Sequence, residues 1–221
     1  MYVMTHTQLG EMIYQYLSTT PEGAAALDMR MFKRGNYLPD VSRRHRNWPG
    51  HYYEEAWTRI KAQITQLSQT PITGKDRVYS RQLGVVCHYL CDFFCYAHQK
   101  NFPRHAMMRH MNYERRVHRM AMQLRVRGWM QTVRTRATRR QITKQPTLGS
   151  VFARIEALHS EYAKMLHRRA KGPWAYMRSL QAPANDVMYA LQVCCEMAEA
   201  VMLLSAQAQR QPSGLEMQAA I

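Results

Sequence analysis

The sequence has 221 residues, of which 46% are hydrophobic, so it contains enough apolar material for a folded domain and is not disordered throughout. Lys and Arg number 31 against 15 Asp and Glu, which favours anionic partners such as nucleic acid, phospholipid headgroups or phosphate esters. We find no run of about 18 apolar residues that would span a bilayer. The opening MYVMTHTQLGEM lacks the regions of a secretory signal, so we expect a cytoplasmic or peripheral membrane protein.

Stretches with helical spacing, separated by Pro and Gly, predict an all-α multi-helix bundle. The predicted helices cover about residues 5–17, 51–67, 76–98, 105–129, 150–170 and 184–208. Residues 33–50, KRGNYLPDVSRRHRNWPG, are predicted to be a long polar loop. We expect residues 1–210 to form a single domain, followed by a flexible tail at 211–221.

Three of the five cysteines recur every four residues in the third predicted helix, at Cys87, Cys91 and Cys95. Neighbours on one helical face point the same way, so reduced thiols fit better than disulfides, and we expect a reducing compartment. We interpret these three, together with Cys194 and Cys195, as core packing rather than metal ligands.

The same helix carries residues that are typical of metal sites. His88 and Asp92 stand four residues apart, so their side chains leave one helical face and can reach one divalent ion. His98 lies about 120° further around the helix and therefore serves a second centre, or belongs to a terminus that has begun to turn.

On the following helix, His110 and Glu114 repeat the four-residue spacing, and an antiparallel helix pair would bring them close to His98. Imidazoles and carboxylates together suit zinc. The alternative is that the histidines form hydrogen bonds inside the core and that the acids pair with Arg. The combined pattern favours the metal site.

Taken together, these residues resemble the metal-binding core of the bacterial zinc-dependent phospholipase C family, which is related in fold to the zinc-dependent single-strand nucleases. The resemblance extends upstream to His6 in THTQL, Asp40 in GNYLPD and His51 in GHYYEEAW, and it covers about residues 4–115. His45 is the alternative to His51, and we prefer His51 because GHY opens a predicted helix.

The resemblance implies two or three zinc ions. One ion would be held by Asp40, His51, His88 and Asp92, the second by Asp92 with His6, and the third by His98, His110 and Glu114. Asp40 matches the family carboxylate that is assigned as general base. In secreted members the amine and carbonyl of an N-terminal Trp ligate the zinc at the position of His6, whereas here His6 follows MYVMT.

The implied function is phosphodiester hydrolysis, most directly by a phospholipase C that releases diacylglycerol and a phosphorylated headgroup by means of metal-activated water. A single-strand nuclease is the variant with the same fold. The alternative from another class is a non-catalytic basic all-α protein that binds anionic membrane or RNA. The Arg-rich segment Arg115–Lys144 is either a solvated face of a basic protein or a surface that contacts anionic membrane, with nucleic acid less favoured. Seventeen methionines indicate adaptable packing, and a lipid-accepting surface is a second interpretation of them.

Overall fold

The computed structural model describes residues 1–42, 50–72, 74–100, 102, 106–139, 146–169 and 173–210. Within these ranges the chain forms ten α-helices, a 3-10 turn and no β-strand, which confirms the predicted all-α fold. The helices are α1 (Val3–Leu17), α2 (Pro21–Ala26), α3 (Met29–Val41), α4 (Tyr53–Gln69), α5 (Arg77–Phe93), α6 (Met107–Val126), α7 (Trp129–Arg139), α8 (Leu148–Arg169), α9 (Pro173–Arg178) and α10 (Ala182–Arg210). His45 and the expected tail at 211–221 lie outside the described residues, and the division into one domain stays a prediction.

The six predicted helices correspond to α1, α4, α5, α6, α8 and α10, with two differences at their ends. The third predicted helix stops at Phe93, and the chain turns into a 3-10 helix at Tyr96–His98. This is the turned terminus considered for His98. The fourth stops at Val126 because Gly128 adopts a left-handed φ of 67°, which separates α6 from α7.

The predicted polar loop at 33–50 is wrong over its first part, because α3 continues to Val41. Asp28 caps this helix, and its carboxylate accepts a hydrogen bond from the backbone N–H of Met31. The buried residues keep helical spacing, but only two of them are large and apolar. They are Met31, Phe32, Gly35, Asn36 and Pro39.

Two glycines allow the backbones of α3 and α5 to touch. A Cβ atom built on Gly35 would lie 2.9 Å from the Cα of Gly84, and one built on Gly84 would lie 3.0 Å from the Cα of Gly35. Any larger residue at either position would force the helices apart. This contact brings the C-terminal half of α3 against the C-terminal half of α5, where the predicted ligands lie.

The long helix α10 forms the centre of the bundle and packs against α1, α4, α5, α6 and α8. Its span Ala182–Gln209 is long and apolar enough to cross a membrane by length and composition, which corrects our expectation that no such run exists. The protein itself buries 72% of the most apolar window, as expected for a core helix.

All five cysteines are free and buried, which confirms that they pack in the core as reduced thiols. The Sγ atoms of Cys91 and Cys194 lie 3.7 Å apart where α5 meets α10. The expected reducing compartment stays a prediction.

Candidate metal centre

The eight site residues chosen from the sequence converge where the C-terminal ends of α3 and α5 meet the N-terminal ends of α1, α4 and α6. α5 and the turn that follows it supply the central three, and the neighbouring helices supply the others. The eight are His6, Asp40, His51, His88, Asp92, His98, His110 and Glu114.

The carboxylate of Asp92 is fully buried at the middle of the cluster. Its Oδ1 accepts a hydrogen bond from the amine of Met1 at 2.6 Å and lies 3.2 Å from Nε2 of His6 and 3.7 Å from Nε2 of His98. Burial alone would raise the pKa of Asp92, but electrostatic interactions with His98, the Met1 amine and His6 hold it well below the usual value. Asp92 is therefore ionised at neutral pH.

The other oxygen of Asp92 faces a second pair of histidines. Its Oδ2 lies 2.6 Å from Nδ1 of His51 and 3.3 Å from Nε2 of His88. The opposite nitrogen of His88, Nδ1, is 2.8 Å from the backbone carbonyl of Asn36 and donates its proton there. This bond fixes the tautomer of His88, so that the Nε2 lone pair points into the cluster, as in metal-bound histidines.

Asp40, near the end of α3, lies beside both groups of histidines. Its oxygens are 3.6 Å from Nε2 of His88, 3.8 Å from Nδ1 of His51 and 3.9 Å from Nε2 of His6. Burial raises the pKa of Asp40 above its ordinary value, although the positive charge of His6 opposes this. Its side chain is still 16% exposed, so a water molecule can reach it.

A second cluster forms where the 3-10 turn meets α6, as the sequence predicted. Oε1 of Glu114 lies 3.0 Å from Nε2 of His98 and 2.9 Å from Nε2 of His110. Burial lowers the pKa of His98 to about 4, which keeps the imidazole neutral and able to bind a metal. Burial opposes ionisation of Glu114, but the Met1 amine and the two histidines outweigh it and lower the pKa of this carboxyl.

The α-amino group of Met1 lies between the two clusters. Its nitrogen is 2.6 Å from Oδ1 of Asp92, 2.6 Å from Nε2 of His98 and 3.1 Å from Oε1 of Glu114. Burial alone would lower the pKa of this amine, but the two carboxylates outweigh it and raise the pKa to about 12. The ammonium group thus balances part of the buried negative charge.

These residues fit a zinc site. Each of three sets has one ligand atom per residue, all within 4.8 Å of one another, and the first two sets share His88. The sets are His6, Asp40 and His88; His51, His88 and Asp92; and His98, His110 and Glu114. Zinc bonds of about 2.0–2.2 Å allow ligand atoms roughly 4.4 Å apart, so small movements would close each set around an ion.

His6 provides the strongest test of this fit. Both of its ring nitrogens are buried without a hydrogen-bond partner, since the short distance to Asp92 lacks hydrogen-bond geometry. Burial alone would lower the pKa of His6, but the charge of Asp92 raises it to about 9. The His6 ring therefore faces the charge of Asp92 without a hydrogen bond, and a metal ion bound in place of its proton would satisfy one of the buried nitrogens.

A further buried carboxylate, which the sequence analysis missed, holds the second cluster in place. Asp186 in α10 accepts hydrogen bonds from the backbone N–H of Tyr96 at 2.9 Å and from the hydroxyl of Tyr113 at 2.6 Å. The hydroxyls of Tyr162 and Tyr176 donate to its other oxygen at 2.7 and 3.0 Å. The available signal was a lone acid in the apolar stretch APANDVMYAL.

Asp186 therefore ties the turn that carries His98 to the helix that carries Glu114. Replacing Asp186 with Ala leaves four buried donors without an acceptor, and we expect it to lower the free energy of unfolding by about 2–4 kcal/mol. We also expect it to weaken zinc binding at the second cluster. Urea unfolding and the zinc content of the purified protein measure the two effects.

Asp186→Asn is the matched control. The amide oxygen can accept from Tyr96 and Tyr113, while the amide N–H groups donate to the oxygens of Tyr162 and Tyr176. We therefore expect Asn to preserve the zinc content and to cost less than about 1 kcal/mol. Unchanged zinc in the Ala variant, or equal zinc loss in both variants, would remove Asp186 from this positioning role.

A comparison with family models gives one match. The model described as zinc dependent phospholipase C matches residues 5–169 of the chain. This range includes all eight site residues and the helices that carry them. No curated protein and no solved structure matches the chain.

Proposed function

Because the chain belongs to the zinc-dependent phospholipase C family, we propose that it is a zinc-dependent phosphodiester hydrolase that cleaves glycerophospholipids into diacylglycerol and a phosphorylated headgroup. The observation that best supports this proposal is the convergence of eight zinc-type ligands on one partly open cluster. A purely structural cluster would not require so many buried groups of this kind.

In this proposal two or three zinc ions bind to the cluster. Asp40, His51, His88 and Asp92 would hold one, Asp92 together with His6 would hold another, and His98, His110 and Glu114 would hold the last. When bound, such ions lower the pKa of a coordinated water and stabilise negative charge on phosphoryl oxygens.

The residues of the chain bind the substrate, orient the groups of the site and accept a proton. Asp40 is the general base and takes a proton from the attacking water, whose oxygen forms a bond to phosphorus as the bond from phosphorus to the glycerol oxygen breaks; the departing glycerol oxygen takes up a proton from solvent water to give diacylglycerol. Its carboxylate suits this role because it lies beside the histidines at distances longer than hydrogen bonds. The carbonyl of Asn36 keeps His88 oriented throughout.

In this proposal, substrate reaches the cluster at its exposed members. The side chains of His51, His110 and Asp40 are 28, 25 and 16% exposed, whereas those of His6, His88 and Asp92 are fully buried. The phosphoryl group of a lipid headgroup therefore approaches past the first three. We also propose that the Arg-rich segment Arg115–Lys144 provides peripheral contact with anionic membrane.

The deciding experiment compares phosphatidylcholine and single-stranded DNA as substrates for the purified zinc-loaded protein. We expect release of the phosphorylated headgroup from the lipid and no cleavage of DNA, with activity abolished by a chelator. Cleavage of DNA alone would identify the nuclease variant. Stoichiometric zinc without hydrolysis of either substrate would support the non-catalytic reading and refute our proposal.

A further inference from the structure

The exposed apolar side chains of this protein are concentrated beside the metal cluster. Among the described residues, eleven large apolar side chains are exposed, and seven of them lie on α6 or at the start of α1, which packs against it. A random distribution would spread them over all ten helices. The seven are Tyr2, Met4, Met107, Met108, Met111, Met122 and Val126. We call the five on α6 the apolar stripe.

The apolar stripe occupies one face of α6. At about 100° per residue, all five of its members fall within an arc of roughly 100° that contains none of the buried positions of the helix. The stripe runs about 28 Å along the helix axis from Met107 to Val126. Tyr2 joins it from α1, since its ring contacts that of His118 at a centroid distance of 6.0 Å.

Basic side chains lie in the same arc or at its edge. Arg115 and Arg119 are exposed between the members of the apolar stripe, and Arg115 donates to the neutral side-chain oxygen of Asn112. The only acid on α6 is Glu114, which is buried in the metal cluster. The exposed face of α6 therefore combines apolar side chains with positive charge, as in helices that lie on anionic bilayers.

The apolar stripe adjoins the entrance to the cluster. Met107 and Met111 stand one helical turn from the half-exposed His110 and from Glu114, respectively. A flat surface that pressed against the stripe would bring its outermost groups close to His110, which is one of the exposed members of the cluster.

We propose that this face of α6 docks on a phospholipid bilayer containing anionic lipid, with the apolar stripe inserted among the headgroups and Arg115 and Arg119 contacting lipid phosphates. The inference rests on the proposed phospholipase function and adds the surface by which the enzyme meets its substrate. Docking through α6 holds the entrance of the cluster against the headgroup layer, so that a lipid need move only a short distance to reach it.

The test replaces three members of the stripe together, as Met108→Gln, Met122→Gln and Val126→Gln. Glutamine keeps the helix propensity but does not favour insertion. We expect binding to mixed phosphatidylcholine and phosphatidylserine vesicles, measured by sedimentation, to weaken about tenfold or more. Hydrolysis of a short-chain phosphatidylcholine below its critical micelle concentration should change by less than about twofold, because no residue of the cluster is altered.

Two controls keep the result specific. The corresponding Leu replacements at the three positions should preserve vesicle binding, since they retain apolar surface. Val78→Gln removes an equally exposed apolar side chain from the first turn of α5, at the far end from the cluster, and should also preserve it.

The outcomes separate this proposal from the phospholipase proposal. Vesicle binding that is unchanged in the Gln variant overturns the docking surface, whether or not lipid is hydrolysed. A self-association in solution that the Gln replacements abolish, without any vesicle binding by the unmodified protein, would assign the stripe to a second copy of the chain instead. Vesicle binding that depends on the stripe, without hydrolysis of any phospholipid, retains the docking surface and refutes the phospholipase activity.

Discussion

Asp92→Asn is expected to lose most of the bound zinc and to reduce phosphodiester hydrolysis by about 10³-fold or more, the largest effect of any single change. Both oxygens of Asp92 are used, Oδ1 towards His6 and Oδ2 towards His51 and His88. An amide retains one oxygen and directs N–H hydrogens at groups that need a negative partner. Inductively coupled plasma mass spectrometry measures the zinc content, and an assay of phosphatidylcholine hydrolysis measures the loss of activity.

Asp76→Asn is the matched control on the same helix. Asp76 caps α5, where its carboxylate accepts from the backbone N–H groups of Val78 and Tyr79, far from the cluster. Asn is also a good N-cap, so we expect a change in stability below about 1 kcal/mol and full zinc content. If Asp92→Asn retained the zinc of the unmodified protein, Asp92 would not be a ligand and the assignment of the cluster would be wrong.

Asp40→Asn is expected to have a different signature, in which most of the zinc is kept but kcat falls by about 10²–10⁴-fold. The histidines and Asp92 that surround it remain, so metal binding persists, whereas an amide cannot accept a proton from water. KM should change little, because the loss occurs in the chemical step. Steady-state kinetics on a soluble short-chain phospholipid, with parallel zinc measurement, provides the test.

Glu11→Gln serves as the control for Asp40→Asn. Glu11 is similarly buried, with a side chain 21% exposed, but it pairs with Lys33 and Arg125 away from the cluster. We expect the loss of the Glu11 charge to leave kcat unchanged, since partly exposed ion pairs contribute little to stability. Equal activity in Asp40→Asn and the unmodified protein would show that another group accepts the proton.

The parts of the site that depend on helical spacing could be predicted from the sequence. His110 and Glu114 stand four apart on α6, and the helix alone places their side chains together. The same holds for His88 and Asp92 on α5. The pairing of His98 with Glu114 required only the expectation that consecutive helices run antiparallel.

The parts that depend on backbone atoms could not be predicted. The carbonyl of Asn36 orients His88, and the amine of Met1 lies between the two clusters, yet neither atom belongs to a side chain. The amine is of particular interest because the family resemblance placed an N-terminal Trp at this point. In this chain the amine of Met1 lies beside the ligands without a Trp.

The helix α3 was missed for a related reason. Periodicity detects a buried face through large apolar residues, but α3 buries Gly35, Asn36 and Pro39. These residues allow the backbones of α3 and α5 to come close together and do not pack large side chains. Such a composition is typical of a loop. The error concerned the element that carries Asp40, although the position of Asp40 in the cluster was anticipated by resemblance.

The contact between Gly35 and Gly84 limits how sequences of this family can diverge. A chain could retain all eight metal-type residues and still fail to assemble the cluster, if a side chain at either glycine held α3 away from α5. A signature for detecting distant functional members should therefore include both glycines along with the histidines and acids. Members that lack the glycine pair would be candidates for proteins that have lost catalysis while keeping its residues.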